Sequence, residues 1–115
     1  MDREGLLREM YAAFNGRDID AVLVRMHPEV DWPNAWAGGR VSGHEAVRDY
    51  WTRQWAEIDP RVSPLGFEEL PDDRVAVVVQ QVVHYRDGNL LAENEVTHVY
   101  SFRDGLIVAM NVEES

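Results

Sequence analysis

The stretch Glu95-Val96-Thr97-His98-Val99-Tyr100-Ser101-Phe102-Arg103-Asp104-Gly105-Leu106-Ile107 constrains this chain most. It reads as a long strand, a tight Asp-Gly turn and the start of a second strand. Side chains two apart on a strand share a face, so Val96, His98, Tyr100 and Phe102 project together. Three of these four are apolar or aromatic, which turns that face inward and sets His98 on an otherwise hydrophobic surface. The rest of the chain must supply a cover for it.

The segment before this strand is also β. Val62 to Leu70 reads as a strand that Pro64 interrupts, and so as an edge or bulged strand. Pro71-Asp72-Asp73 forms a turn, and Arg74 to Tyr85 is a long Val-rich strand. Arg86 to Asn89 turns the chain into Leu90–Phe102, and Leu106 to Val112 closes it. One ambiguity stays open. Either Val78, Gln80, Val82 and His84 or the alternate set Val77, Val79, Gln81 and Val83 faces inward. The first face would set Gln80 and His84 beside His98.

The N-terminal half is helical. Leu6, Leu7, Met10, Tyr11 and Phe14 make an apolar stripe from Asp2 to Phe14. Asn15-Gly16 ends it, with Gly16 able to take a left-handed cap. Asp18 caps a short second helix whose apolar side is Ile19, Val22, Leu23 and Met26, and His27-Pro28 stops it. A short strand, Val30–Trp32, leads into the irregular segment Pro33–Arg40, whose Trp36, with Trp32, would line or lid a cavity. Ser42 and Glu45 fit a capping box for a third helix running to about Ile58. The expectation is one α+β domain over residues 1–115.

Composition narrows function. A net charge of −10 repels phosphate backbones, so nucleic acid is an unexpected partner. There is no Cys for disulfides or thiolate chemistry. No apolar run approaches the roughly 18–20 residues of a membrane helix, and the first residues do not resemble a secretion signal, so a cytoplasmic protein is expected. His27, His44, His84 and His98 lack ligand-like spacing, so no metal is expected. No phosphate loop or nucleophile elbow is present, and no cofactor is expected.

Tyr11-Ala12-Ala13-Phe14-Asn15-Gly16-Arg17-Asp18, His27-Pro28-x-Val30-x-Trp32, Gly43-His44-Glu45-Ala46-Val47-Arg48 and Phe102-Arg103-Asp104-Gly105-Leu106-Ile107 come in an order that resembles the SnoaL-like branch of the nuclear transport factor 2-like superfamily. The resemblance implies a cone-shaped α+β barrel, in which three N-terminal helices close a curved, mainly antiparallel sheet around a pocket. It also implies a homodimer through the outer sheet face. Ketosteroid isomerase, a member of that superfamily, moves a proton on carbon with a carboxylate base and holds the resulting oxyanion with a Tyr and a protonated carboxyl. Matching segment by segment puts its Tyr on Tyr11, its protonated carboxyl on His98 and its base on Trp32. Asp31 is adjacent to Trp32 but one residue out of phase.

The expected site therefore has His98 as acid/base, Tyr11 as donor and Gln80 as orienter. Trp32, Trp36, Tyr50, His84, Tyr100 and Met110 would line it. His98 could equally be a buried imidazole satisfied by a Tyr hydroxyl. Two functions follow. One is a cofactor-independent isomerase, cyclase or hydrolase acting on an apolar carbonyl- or hydroxyl-bearing ligand. The other is a non-catalytic ligand-binding or dimeric interaction module.

Overall fold

The computed structural model describes residues 2–34 and 38–114. Helices α1 (Arg3–Asn15), α2 (Ile19–Leu23) and α3 (His44–Glu57) accompany six strands: β1 (Met26–Pro33), β2 (Arg40–Ser42), β3 (Ile58–Glu69), β4 (Val75–Tyr85), β5 (Leu90–Arg103) and β6 (Leu106–Glu114). The sheet order is β2-β1-β6-β5-β4-β3. Only β1 and β6 run parallel; every other pair is antiparallel. The α+β expectation holds, but the sheet does not close. β2 and β3 are its two edges, and the helices rather than further strand pairing complete the enclosure. Among the described residues no helix is long and apolar enough to cross a membrane.

The start of α1 follows its chemistry: the Asp2 carboxylate accepts from the Gly5 amide. Its end differs from expectation. Gly16 stays right-handed, and Arg17 takes the left-handed position at φ 62°. Arg17 N–H donates to the Phe14 carbonyl and Asp18 N–H to that of Ala13, the Schellman pattern with Arg17 in glycine's usual place. Such a conformation costs about 1–2 kcal/mol for a side-chain-bearing residue. The Arg17 guanidinium offsets it by pairing with Asp59 and donating to the Pro60 carbonyl at 2.7 Å.

Two other boundaries move. Helix α2 ends at Leu23, so Met26 is a buried strand residue and His27-Pro28 lies within β1. The extended geometry that Pro imposes on His27 suits a strand as well as a helix stop. Pro28 falls where the β1–β6 register shifts, between Met26 and Asp31, so its missing N–H is tolerated. The capping box does not form either. Ser42 is committed to the ladder opposite Asp31, and Gly43 caps α3 at φ 87°, without a side-chain hydrogen bond. Strand β3 begins at Ile58, and its register shifts between Pro64 and Gly66, as the interrupting proline suggests.

Cross-strand partners share a sheet face. Val75 is opposite Tyr100, Val77 opposite His98 and Val79 opposite Val96. Tyr100 in turn faces Met110, and His98 faces Val112. The inner face of β4 is therefore Val75, Val77, Val79, Gln81 and Val83. This corrects the reading that set Gln80 and His84 beside His98: both point to the outer face, where Gln80 lies opposite Glu95 and reaches the Glu93 carboxylate. The core joins this face to Leu7, Met10 and Tyr11 of α1 and to Val47 and Trp51 of α3.

Candidate active site

Between the inner face and helices α1 and α3 lies a cavity of about 300 Å³. Its walls are mostly apolar. Trp32 meets Trp51 edge to face at 5.5 Å between ring centroids, and Phe14 meets Trp51 at 5.4 Å. Tyr11, Trp32, Tyr50, His98, Tyr100 and Met110 all line it. Gln80 and His84 do not. Trp36 lies outside the described residues. Residues that sequence reasoning passed over include Trp51, Gln54 and Gln81. Trp51 and Gln54 lie one and four residues after Tyr50 on α3, a spacing that keeps both on its side of the helix. Gln81 was visible only as the alternative β4 face.

Three polar groups meet at the floor. Helix α1 supplies Tyr11, and β5 supplies His98 and Tyr100 from positions two residues apart. Tyr100 Oη donates to Tyr11 Oη at 2.7 Å. Tyr11 Oη lies 2.9 Å from His98 Nδ1, and Tyr100 Oη lies 3.4 Å from the same nitrogen. The Tyr11 and His98 rings are near-parallel at 6.0 Å, with Tyr100 edge-on to both. This is a relay: Tyr100 to Tyr11 to His98.

Burial sets its protonation. It pulls His98 from an ordinary 6.5 down to about 4, so the imidazole is neutral at neutral pH. Burial raises both tyrosines; the Tyr100 hydroxyl bond offsets part of the rise at Tyr11. Both phenols stay protonated. Two proton arrangements satisfy the same heavy atoms. In one, Tyr11 donates to Nδ1 and His98 carries its proton on Nε2. In the other, His98 Nδ1–H donates to Tyr11, which turns its own O–H toward the cavity. Either way the relay has one N–H or O–H proton left for a ligand. The satisfied-imidazole reading and the donor reading of His98 are thus compatible.

No carboxylate lines the cavity among the described residues. Trp32 occupies the wall where the resemblance puts a base. Asp31 points away and accepts from Arg40 Nε at 2.8 Å. A ligand here meets hydrogen-bond donors and aromatic surface, with no fixed charge.

A family model described as the SnoaL-like domain matches residues 7–110. No curated protein matches the sequence. Among solved structures, the chain is similar to an NTF2-like protein of unknown function from Burkholderia pseudomallei K96243, at 27% identity and TM-score 0.84, covering 97% of this chain and 89% of that one. It is similar to TerC, co-crystallised with polyporic acid, at 28% identity and TM-score 0.83, with 96% and 89% covered. A protein from Mycobacterium tuberculosis in complex with estradiol-17beta-hemisuccinate shares the fold at 18% identity and TM-score 0.80, with 93% and 88% covered.

Proposed function

We propose that this chain, which belongs to the SnoaL-like domain family, binds a small, largely apolar molecule and holds one of its oxygen atoms against the Tyr100–Tyr11–His98 relay. The observation that carries this is the relay itself: three mutually bonded polar side chains at the floor of a largely apolar cavity of about 300 Å³. That volume is at the lower end of the roughly 300–1,000 Å³ typical of ligand sites. A carbonyl or hydroxyl oxygen accepts the proton that the relay leaves over. In a site walled by Trp32, Trp51 and Phe14, such a fixed donor polarises a carbonyl more strongly than water does.

Binding with polarisation is the reading the site supports best. Turnover as a cofactor-independent isomerase, cyclase or hydrolase would use His98 to carry the proton. At about 4, its basicity suits only substrates with acidic protons of their own. The relatives seen with polyporic acid and with a steroid ester support an apolar, oxygen-bearing ligand class.

Titration calorimetry with polyporic acid tests the reading. The wild type should bind, and Tyr11→Phe should weaken binding by about tenfold, the upper worth of one hydrogen bond. Equal affinity of wild type and Tyr11→Phe would remove the relay from the binding site. A panel of ketones, epoxides and lactones tests catalysis. Equal turnover by wild type and His98→Ala excludes His98 as the proton carrier.

A further inference from the structure

The inner face of β4 is a row of valines with one break. Val75, Val77, Val79 and Val83 are buried, and Gln81 stands among them. Its side chain is half-buried and lines the cavity. Among the described residues it makes no side-chain hydrogen bond, in contrast to Gln80 next door, which reaches Glu93, and Gln54, which donates to Tyr50 Oη at 3.0 Å. Half-buried and without a protein partner, that amide is open to the cavity and bonds whatever fills it, water or ligand. The amide is therefore set where something other than the protein completes it.

Its position says what that something is. Gln81 is opposite Asn94 on β5, four residues from His98. Four strand residues span about 13 Å, so Gln81 and the relay are well apart along the same inner face. Between and around them the lining is apolar: Met10, Phe14, Val62, Val83 and Ala92. An amide offers two donors and one acceptor and carries no charge. With no charged side chain lining the cavity among the described residues, this end matches a neutral polar group rather than a carboxylate or an amine.

We propose that Gln81 is a specificity-determining residue for the far end of the ligand, and that the ligand class is a neutral two-ended molecule. One oxygen meets the relay, a hydroxyl or second carbonyl meets the Gln81 amide, and an apolar body joins them. This rests on the binding reading above and narrows it.

The test uses two probes that differ at one end, 4-phenylcyclohexanone and 4-(4-hydroxyphenyl)cyclohexanone. Calorimetry measures both against the wild type and Gln81→Leu; leucine continues the apolar row, and thermal melting checks that the variant folds. The wild type should bind the hydroxylated probe about three- to tenfold more tightly, the net worth of one hydrogen bond. Gln81→Leu should abolish that preference. Gln81→Asn should restore part of the preference. If Gln81→Leu binds both probes in the wild-type ratio, Gln81 does not read the ligand, and the binding reading stands without it. If neither probe binds the wild type while polyporic acid does, the neutral two-ended class falls and the binding reading stands; if polyporic acid does not bind either, both fall.

Discussion

At His98 a single titration links the site to stability. The folded state holds the imidazole neutral, with its pKa pulled from about 6.5 to about 4 by burial. The unfolded chain therefore binds more protons between those two values. By linkage, the stabilisation is complete above about pH 6.5, is lost as pH falls toward 4, and changes no further below that. The shift corresponds to about 3 kcal/mol at most. Urea midpoints should fall over this window in the wild type, and His98→Gln should fall less steeply. Parallel curves would show that other groups carry the acid sensitivity. His98 was readable in the sequence because a polar residue on a two-residue apolar period stands out, and Tyr11 because it lies on the helical apolar stripe of α1 and on a segment that carries the resemblance. Gln81 was not, because both faces of Val-Ala-Val-Val-Val-Gln-Gln-Val-Val-His carry valine and a glutamine. Only the pairing of Val77 with His98 decides between them, and pairing is a long-range property.

Among the elements, edge strand β3 depends on one side chain. Asn15, the last residue of α1, donates from Nδ2 to the Val62 carbonyl at 2.7 Å and accepts from the Val62 amide at 3.0 Å. Its amide stands in for the strand that β3 lacks on that side. Removing it leaves two part-buried backbone groups unmatched. Asn15→Ala should cost about 1–3 kcal/mol by denaturant unfolding, and the Val62 amide should exchange faster with solvent. Unchanged exchange at Val62 would show that the edge holds without the clasp. Except for the short edge strand β2, whose residues read as loop and helix cap, the existence and order of the elements followed from hydrophobic period and turn residues. Their ends did not, because competing contacts set them. Ser42 is taken by a ladder, and Arg17 is drawn into the left-handed position by Asp59 and Pro60.

Over the whole molecule, charge is unevenly matched. All eleven basic residues are arginine, against 21 acidic residues. Among the described residues, ten of the arginines lie within 4.0 Å of a carboxylate, and Arg17 and Arg61 share Asp59. Cations are thus nearly used up, and the surplus carboxylates repel one another. Exposed pairs are individually worth little, so screening the repulsion outweighs screening the pairs. Raising NaCl from low to about 0.5 M should lift the melting temperature by about 2–5 °C. A fall would mean that the arginine pairs dominate.

The relay has a consequence for spectroscopy. Its protons sit in hydrogen bonds of 2.7 Å between the two tyrosines and 2.9 Å between Tyr11 and His98, in a region where Tyr100 is fully buried. Protons held this way exchange slowly with solvent. They would serve as reporters inside the cavity, present in the empty protein and displaced in frequency when an oxygen docks. Ligand entry could then be followed at the bond that receives it, with no label, before any substrate has been identified.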